Sequence, residues 1–192
     1  AGKGMTLALD RLADRLLDEL RPGLSDGVLQ QVAPLSEALS RANRIFCYGV
    51  GREGLMMRAL TMRLFHLGCD AHVVGDMTTP PVRHEDVLFV SAGPGHFSTV
   101  AALADVARTS GGKVICITAE PGGAVPRASD MTVHLPAQTM AADQGAAATS
   151  VLPMGSLYEA LMFLFFEVLV LDLRDRMGVS PQAMRANHTN LE

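Results

Sequence analysis

The chain has 192 residues, of which 48% are hydrophobic, and carries a formal net charge of −4. That is apolar enough for one well-buried domain and too apolar for intrinsic disorder, and with no lysine- or arginine-rich block it offers nucleic acid no basic footprint. The three cysteines, Cys47, Cys69 and Cys116, lie in apolar segments with neither a CxxC pair nor a zinc spacing, so they read as buried free thiols of a cytoplasmic protein.

Ala1–Gly4 ahead of Met5 reads as a remnant of expression, and no secretory pattern follows it. Leu9, Leu12, Leu16, Leu17 and Leu20 recur at helical spacing, and a second helix is expected over Ser25–Ala42 with a kink at Pro34. Residues 5–42 thus form N-terminal helices ahead of an α/β core over 44–192, all within one domain. From Ile45 the pattern changes. Short apolar runs at 45–48, 71–74, 87–91, 114–117 and 131–135 alternate with helices expected at about 54–67, from the turn after Ser91 to about 108, and 156–177. Strands alternating with helices predict a parallel sheet covered on both faces. The stretch Pro136–Ser150 is the one long loop, and long loops tend to be functional. The apolar run Ala160–Phe166, followed after Glu167 by Val168–Leu171, is too short and interrupted for a bilayer span. A helix apolar on every side must be buried on several sides, which predicts one shared between the core and a subunit interface.

Two glycine turns carry the functional signal. Gly49-Val50-Gly51-Arg52-Glu53-Gly54 matches GxGxxG and follows the first strand; Gly93-Pro94-Gly95-His96 follows the third. If the strand order is 2-1-3-4-5, the two turns converge on one crevice at the carboxyl ends of the strands, where ligands bind. Asp76, near the end of the second strand, keeps a dinucleotide reading open. The third-strand turn is an unusual anion cradle, because Ala92, Pro94 and Phe97 stand where hydroxyls and free N–H groups would be expected. Glu159 has two readings: the last residue of a Ser156-x-x-Glu159 capping box, or a carboxylate facing a crevice and used as a base. His96 sits in the third-strand turn and His188 in the tail; no two histidines have helical metal spacing, so no metal site is expected. Met56, Met57 and Met62 read as core or interface filler, and the absence of Gly-x-Ser-x-Gly counts against a hydrolase of the nucleophile-elbow type.

Taken in order, Gly49–Gly54, Met62–Gly68, Val74–Pro80, Leu152–Glu159 and His188–Glu192 resemble the sugar isomerase (SIS) domain family, and within it the 6-phospho-3-hexuloisomerase branch. The resemblance implies a three-layer α/β/α sandwich on a five-stranded parallel sheet, a homotetramer with sites near subunit interfaces, and no cofactor or metal. It implies interconversion of 3-hexulose 6-phosphate and fructose 6-phosphate by proton transfer through an enediol. Carried over, Glu159 is the proton shuttle and His188 assists at the oxygen from a neighbouring subunit, while Arg52, Thr78 and Thr79 line the sugar site. Gly49, Gly51, Gly93, Gly95 and Ser98 shape the substrate turns. The chain departs from the family where Glu53 replaces a serine and where Ala92, Pro94 and Phe97 replace phosphate-binding positions. The ligand is therefore expected to be a sugar or sugar phosphate whose far end differs from a plain phosphate, with Glu53 accepting from sugar hydroxyls and His96 recognising another group. A sugar-sensing domain without catalysis and a nucleotide-binding oxidoreductase are the alternatives.

Overall fold

The computed structural model describes residues 9–191; the chain start at Met5 and the final Glu192 of the tail motif lie outside the described residues. Strands β1 (Ile45–Tyr48), β2 (Ala71–Val73), β3 (Val87–Ser91), β4 (Lys113–Thr118) and β5 (Met131–His134) form one sheet in the order β2-β1-β3-β4-β5, all neighbours parallel. This is the expected order, and it sets the turns after β1 and β3 side by side.

Alternation along the strands assigns the two layers. Ile45 and Cys47 of β1 with Phe89 of β3 face one side, where they are buried by helices α3 (Val32–Ser40), α4 (Gly51–His66) and α7 (Ser156–Met177). Phe46, Leu88 and Val90 face the other, under α5 (Ser98–Thr109) and the short α6 (Ala124–Arg127). The all-round apolar α7 packs on α3 and α4 and buries Leu161, Phe165 and Leu169 completely, yet leaves Phe163 and Leu171 exposed. No described helix is long and apolar enough to cross a membrane. Cys47 and Cys116 are buried free thiols whose burial pushes both up to about 12, and Cys69 is half-buried.

The ends of β2, β4 and β5 shift by a residue from the sequence reading, and the helices differ more. The helix expected over 25–42 is broken: α1 (Leu9–Leu20) runs into a 3-10 turn at Arg21–Leu24, α2 covers only Asp26–Leu29, and α3 restarts at Val32. Pro34 does not kink α3 but occupies its first turn, where its missing N–H costs nothing. The interruption frees the Gln31 side chain to bond both backbone groups of His134 at the edge of β5: its Nε2 donates to the His134 carbonyl at 2.9 Å, and its Oε1 accepts from the His134 N–H at 2.8 Å. The helix after β1 begins at Gly51 rather than Gly54, so Arg52 and Glu53 lie in its first turn.

At the opposite end of the strands Arg44 donates from Nε and Nη2 to both carboxylate oxygens of Asp86, at 3.2 and 2.9 Å. Asp86 is buried and also accepts the Arg83 N–H at 2.7 Å. Arg44→Met is expected to destabilise the fold by about 3 kcal/mol, because it strands a buried charge. Urea unfolding measures this, and a loss no larger than that of an exposed pair such as Arg41–Glu37 would contradict it.

Candidate active site

A cavity of about 490 Å³ opens at the carboxyl ends of β1 and β3. Its polar side includes Arg52, Glu53, Thr139, Ser156, Tyr158 and Glu159; Pro94, Phe97, Met140 and Met154 supply apolar wall. Each element contributes for a local reason. The turn into α4 is tight because Gly54 lies against the Gly49 carbonyl, where an added Cβ would come within 2.4 Å of the oxygen. That closeness brings the first turn of α4 over the end of β3. Helix α7 enters through Met154 and Gly155, both left-handed at φ 54° and 80°. A side chain at Gly155 would also meet the Met140 N–H at 2.8 Å.

Glu159 is 7% exposed, and its Oε2 accepts from Nε of Arg52, an ion pair joining α7 to α4. The capping box does not form. Gly155 is the N-cap with no side-chain bond, Ser156 is already the first helical residue, and the Glu159 carboxylate turns to the arginine instead.

Glu53 is 8% exposed. Its Oε2 accepts two hydrogen bonds, from Ser91 Oγ at 2.5 Å and from the Gly93 N–H at 2.9 Å. Ser91 has one hydrogen and gives it to Glu53, so the Tyr158 hydroxyl, 3.2 Å from Ser91 Oγ, is the donor in that contact. A Cβ at Gly93 would lie 2.7 Å from Glu53 Oε1 and 2.8 Å from the Tyr158 ring, so only glycine fits beneath this carboxyl. Burial raises the Glu53 carboxyl above its ordinary 4.5; the bonds from Ser91 and Gly93 pull it down, and the neighbouring Glu159 adds to the rise. Burial, reinforced by Glu53, holds the Tyr158 phenol well above its ordinary 10.

The pattern of SIS domains matches residues 38–164. The chain belongs to the SIS domain family. It is 30% identical over 177 residues to the 3-hexulose-6-phosphate isomerase of Bacillus subtilis, spanning 92% of this chain and 95% of the relative. It is 34% identical over 163 residues to the enzyme of the same name from Mycobacterium gastri, spanning 85% and 81%. A solved structure from Methanococcus jannaschii, described as inferring a function of 3-hexulose-6-phosphate isomerase, superposes with a TM-score of 0.77 at 27% identity over 96% of this chain and 98% of that one.

Within this SIS fold the expected site residues divide. Gly51, Arg52, Glu53 and Glu159 line the cavity together. Gly93 holds Glu53, Gly49 makes room for Gly54, and Gly95 packs against Gly123 outside the cavity lining. His96 and Ser98 are exposed and do not line the cavity, which Pro94 and Phe97 of the same turn do. Thr78 and Thr79 lie beyond edge strand β2 in a separate cleft of about 390 Å³ with Arg58 and Asp76, and Thr79 Oγ1 donates to the Val73 carbonyl at 2.7 Å. Asp76 pairs with Arg58 at 3.6 Å there instead of facing the glycine turn, so the dinucleotide pattern is not completed. His188 follows α8 (Pro181–Ala186) and stacks on His66, ring centroids 5.2 Å apart, while Asn187 Nδ2 donates to the His66 carbonyl at 3.0 Å. His66 ends α4 and Glu53 begins it, so the same chain's cavity lies about 20 Å from this histidine pair at ~1.5 Å of helix rise per residue. Sequence reasoning missed Ser91 and Tyr158; the signals were a lone polar residue closing an apolar strand and a tyrosine immediately before Glu159. Thr139 and Met140 come from the long loop expected to be functional.

The raised Glu53 carboxyl makes stability depend on pH with a defined sign. Its contribution is full below the ordinary 4.5 and is lost as pH rises through the higher folded value. Glu53→Gln keeps an oxygen for Ser91 and Gly93 and carries no charge. Its thermal midpoint is expected to gain on that of the unaltered protein from about pH 4 to about pH 8; a constant gap across that range contradicts it.

Proposed function

We propose that this chain is a sugar isomerase that moves a proton between neighbouring carbons through an enediol, with Glu159 as the shuttle. The reading is carried by one observation: a carboxylate, paired with Arg52, sits nearly buried in a cavity whose remaining wall is largely apolar. Enediol chemistry needs a positioned base and a water-poor site, and these residues supply both. The 3-hexulose-6-phosphate isomerases among the relatives support the same reaction class. Arg52 holds Glu159 and adds a cation for a sugar oxygen.

The turn after β3 is not left free to cradle the phosphate of a plain phosphohexulose. Glu53 fills the turn after β3 with the chain's own carboxyl and takes the Gly93 N–H, the donor a phosphate would use. A sugar bearing a neutral or differently charged end suits this turn better than a phosphate, because the Gly93 N–H is already taken by Glu53. The copies associate as a homotetramer with their cavities near subunit interfaces, supported by the exposed Leu55, Met62 and Phe65 on α4 and Phe163 on α7. His188 then serves the cavity of a neighbouring copy. The ligand is a small sugar or sugar phosphate, with no nucleic acid or membrane partner.

A thermal-shift screen of phosphorylated and free sugars and sugar acids selects the ligand, since whatever binds the native state stabilises it. Incubation of the hits in D₂O then reads the chemistry. Glu159→Gln is expected to cut solvent deuterium entry by about 100-fold or more with an unchanged thermal midpoint. Stabilisation by a sugar with no deuterium entry in the unaltered protein identifies a binding domain instead. Mixed oligomers of Glu159→Gln and His188→Ala chains are expected to recover turnover that neither has alone; no recovery excludes a shared site.

A further inference from the structure

The sugar isomerase reading leaves one requirement open within a single chain. The carbonyl oxygen needs a proton as the carbon gives one up, and His188 lies at the other end of α4. We propose that Glu53 is the second proton-handling residue of the cavity, donating from Oε1 to the sugar oxygen while Glu159 acts at carbon. This inference rests on the proposed isomerase function.

The hydrogen-bond pattern of Glu53 leaves one oxygen free to carry a proton. Oε2 accepts from Ser91 Oγ and from the Gly93 N–H, as the carbonyl oxygen of an acid does. Among the described residues nothing bonds to Oε1. Oε1 is not sealed from solvent, and Glu53 lines the cavity. The charged and titratable groups around it favour a proton there. Glu159 and Tyr158 face it from α7, Cys116 from β4, and Arg52, its neighbour on α4, is engaged by Glu159. One carboxyl bound to a guanidinium and one buried without a counter-charge divide base from acid, the arrangement by which two like groups take opposite roles.

The step balances without a co-reactant. Glu159 takes the proton from the carbon beside the carbonyl, whose C–H bond breaks as the C=C bond forms. The carbonyl π electrons move to oxygen, which takes the Oε1 proton and leaves Glu53 as a carboxylate still bonded by Ser91 and Gly93. In the second half, the enediol's other hydroxyl returns its proton to Glu53 as that C=O forms. Glu159 then delivers its proton to the carbon that was the carbonyl.

Two measurements test the role. With glutamate side-chain carboxyls labelled with ¹³C, the Glu53 resonance, assigned by its loss in Glu53→Gln or Glu53→Asp, is expected to titrate above the exposed glutamates. Titration together with them overturns the proposal. Deuterium entry from D₂O into D-fructose, D-fructose 6-phosphate and the screen hits is then compared. Glu53→Gln is expected to lower kcat by about 100-fold, leave KM within about twofold and abolish the alkaline fall of the kcat profile, whereas Glu53→Asp restores part of the rate. Unchanged kcat in Glu53→Gln, with exchange still lost in Glu159→Gln, overturns this role and leaves the isomerase reading standing. No exchange by the unaltered protein with any of these sugars overturns that reading, and this role with it.

Discussion

The Glu53 carboxyl reaches from the first turn of α4 to the end of β3, where it holds the Ser91 hydroxyl and the Gly93 N–H on a single oxygen. Tyr158 closes the group from α7 through Ser91. Three elements distant in sequence thus meet at one buried polar centre, and the parts of the cavity are positioned from it. Arg52 precedes Glu53 on α4 and Glu159 follows Tyr158 on α7, so their ion pair spans the same two helices beside the same centre. Buried polar groups this close are costly unless satisfied, and here each hydrogen bond also fixes the position of a chemically useful neighbour.

The same centre explains why the turn after β3 departs from a simple anion cradle. An N–H exposed at such a turn attracts an anion's oxygen, and in this chain the oxygen is supplied internally by Glu53. Ala92 and Pro94 add no competing hydroxyl, and Pro94 with Phe97 gives the cavity apolar wall. The turn thus keeps its glycines and binds the chain's own Glu53.

Much of the architecture was legible in advance because it depends on short-range patterns. Short apolar runs alternating with helical patterns located all five strands, and the order β2-β1-β3-β4-β5 brings the two glycine turns together. The break between α2 and α3 was hidden because its cause is not local: Gln31 leaves the helical pattern to bond His134, 103 residues away. At the site, Glu159 and Arg52 were legible through the motifs that carry them, and Glu53 as a departure from one. The role of Glu53 within the fold was not, since a sequence gives no sign that a carboxyl in one turn will bond the backbone of another. For the same reason Thr78, Thr79 and His188, which belong to one motif set with Glu159, stand in different regions of the single chain.

The Gln31 side chain has a further consequence for how copies of this protein can meet. An edge strand offers its outward N–H and C=O groups to any extended chain, the usual route to uncontrolled sheet growth. By giving one acceptor and one donor to His134, the primary amide of Gln31 imitates a single residue of a sixth strand and then stops, because a side chain has no next residue to pair. The carboxyl end of β5 is thereby closed to strand addition, which steers contacts between molecules away from this edge and towards the helical faces, whose shape and composition can be selective.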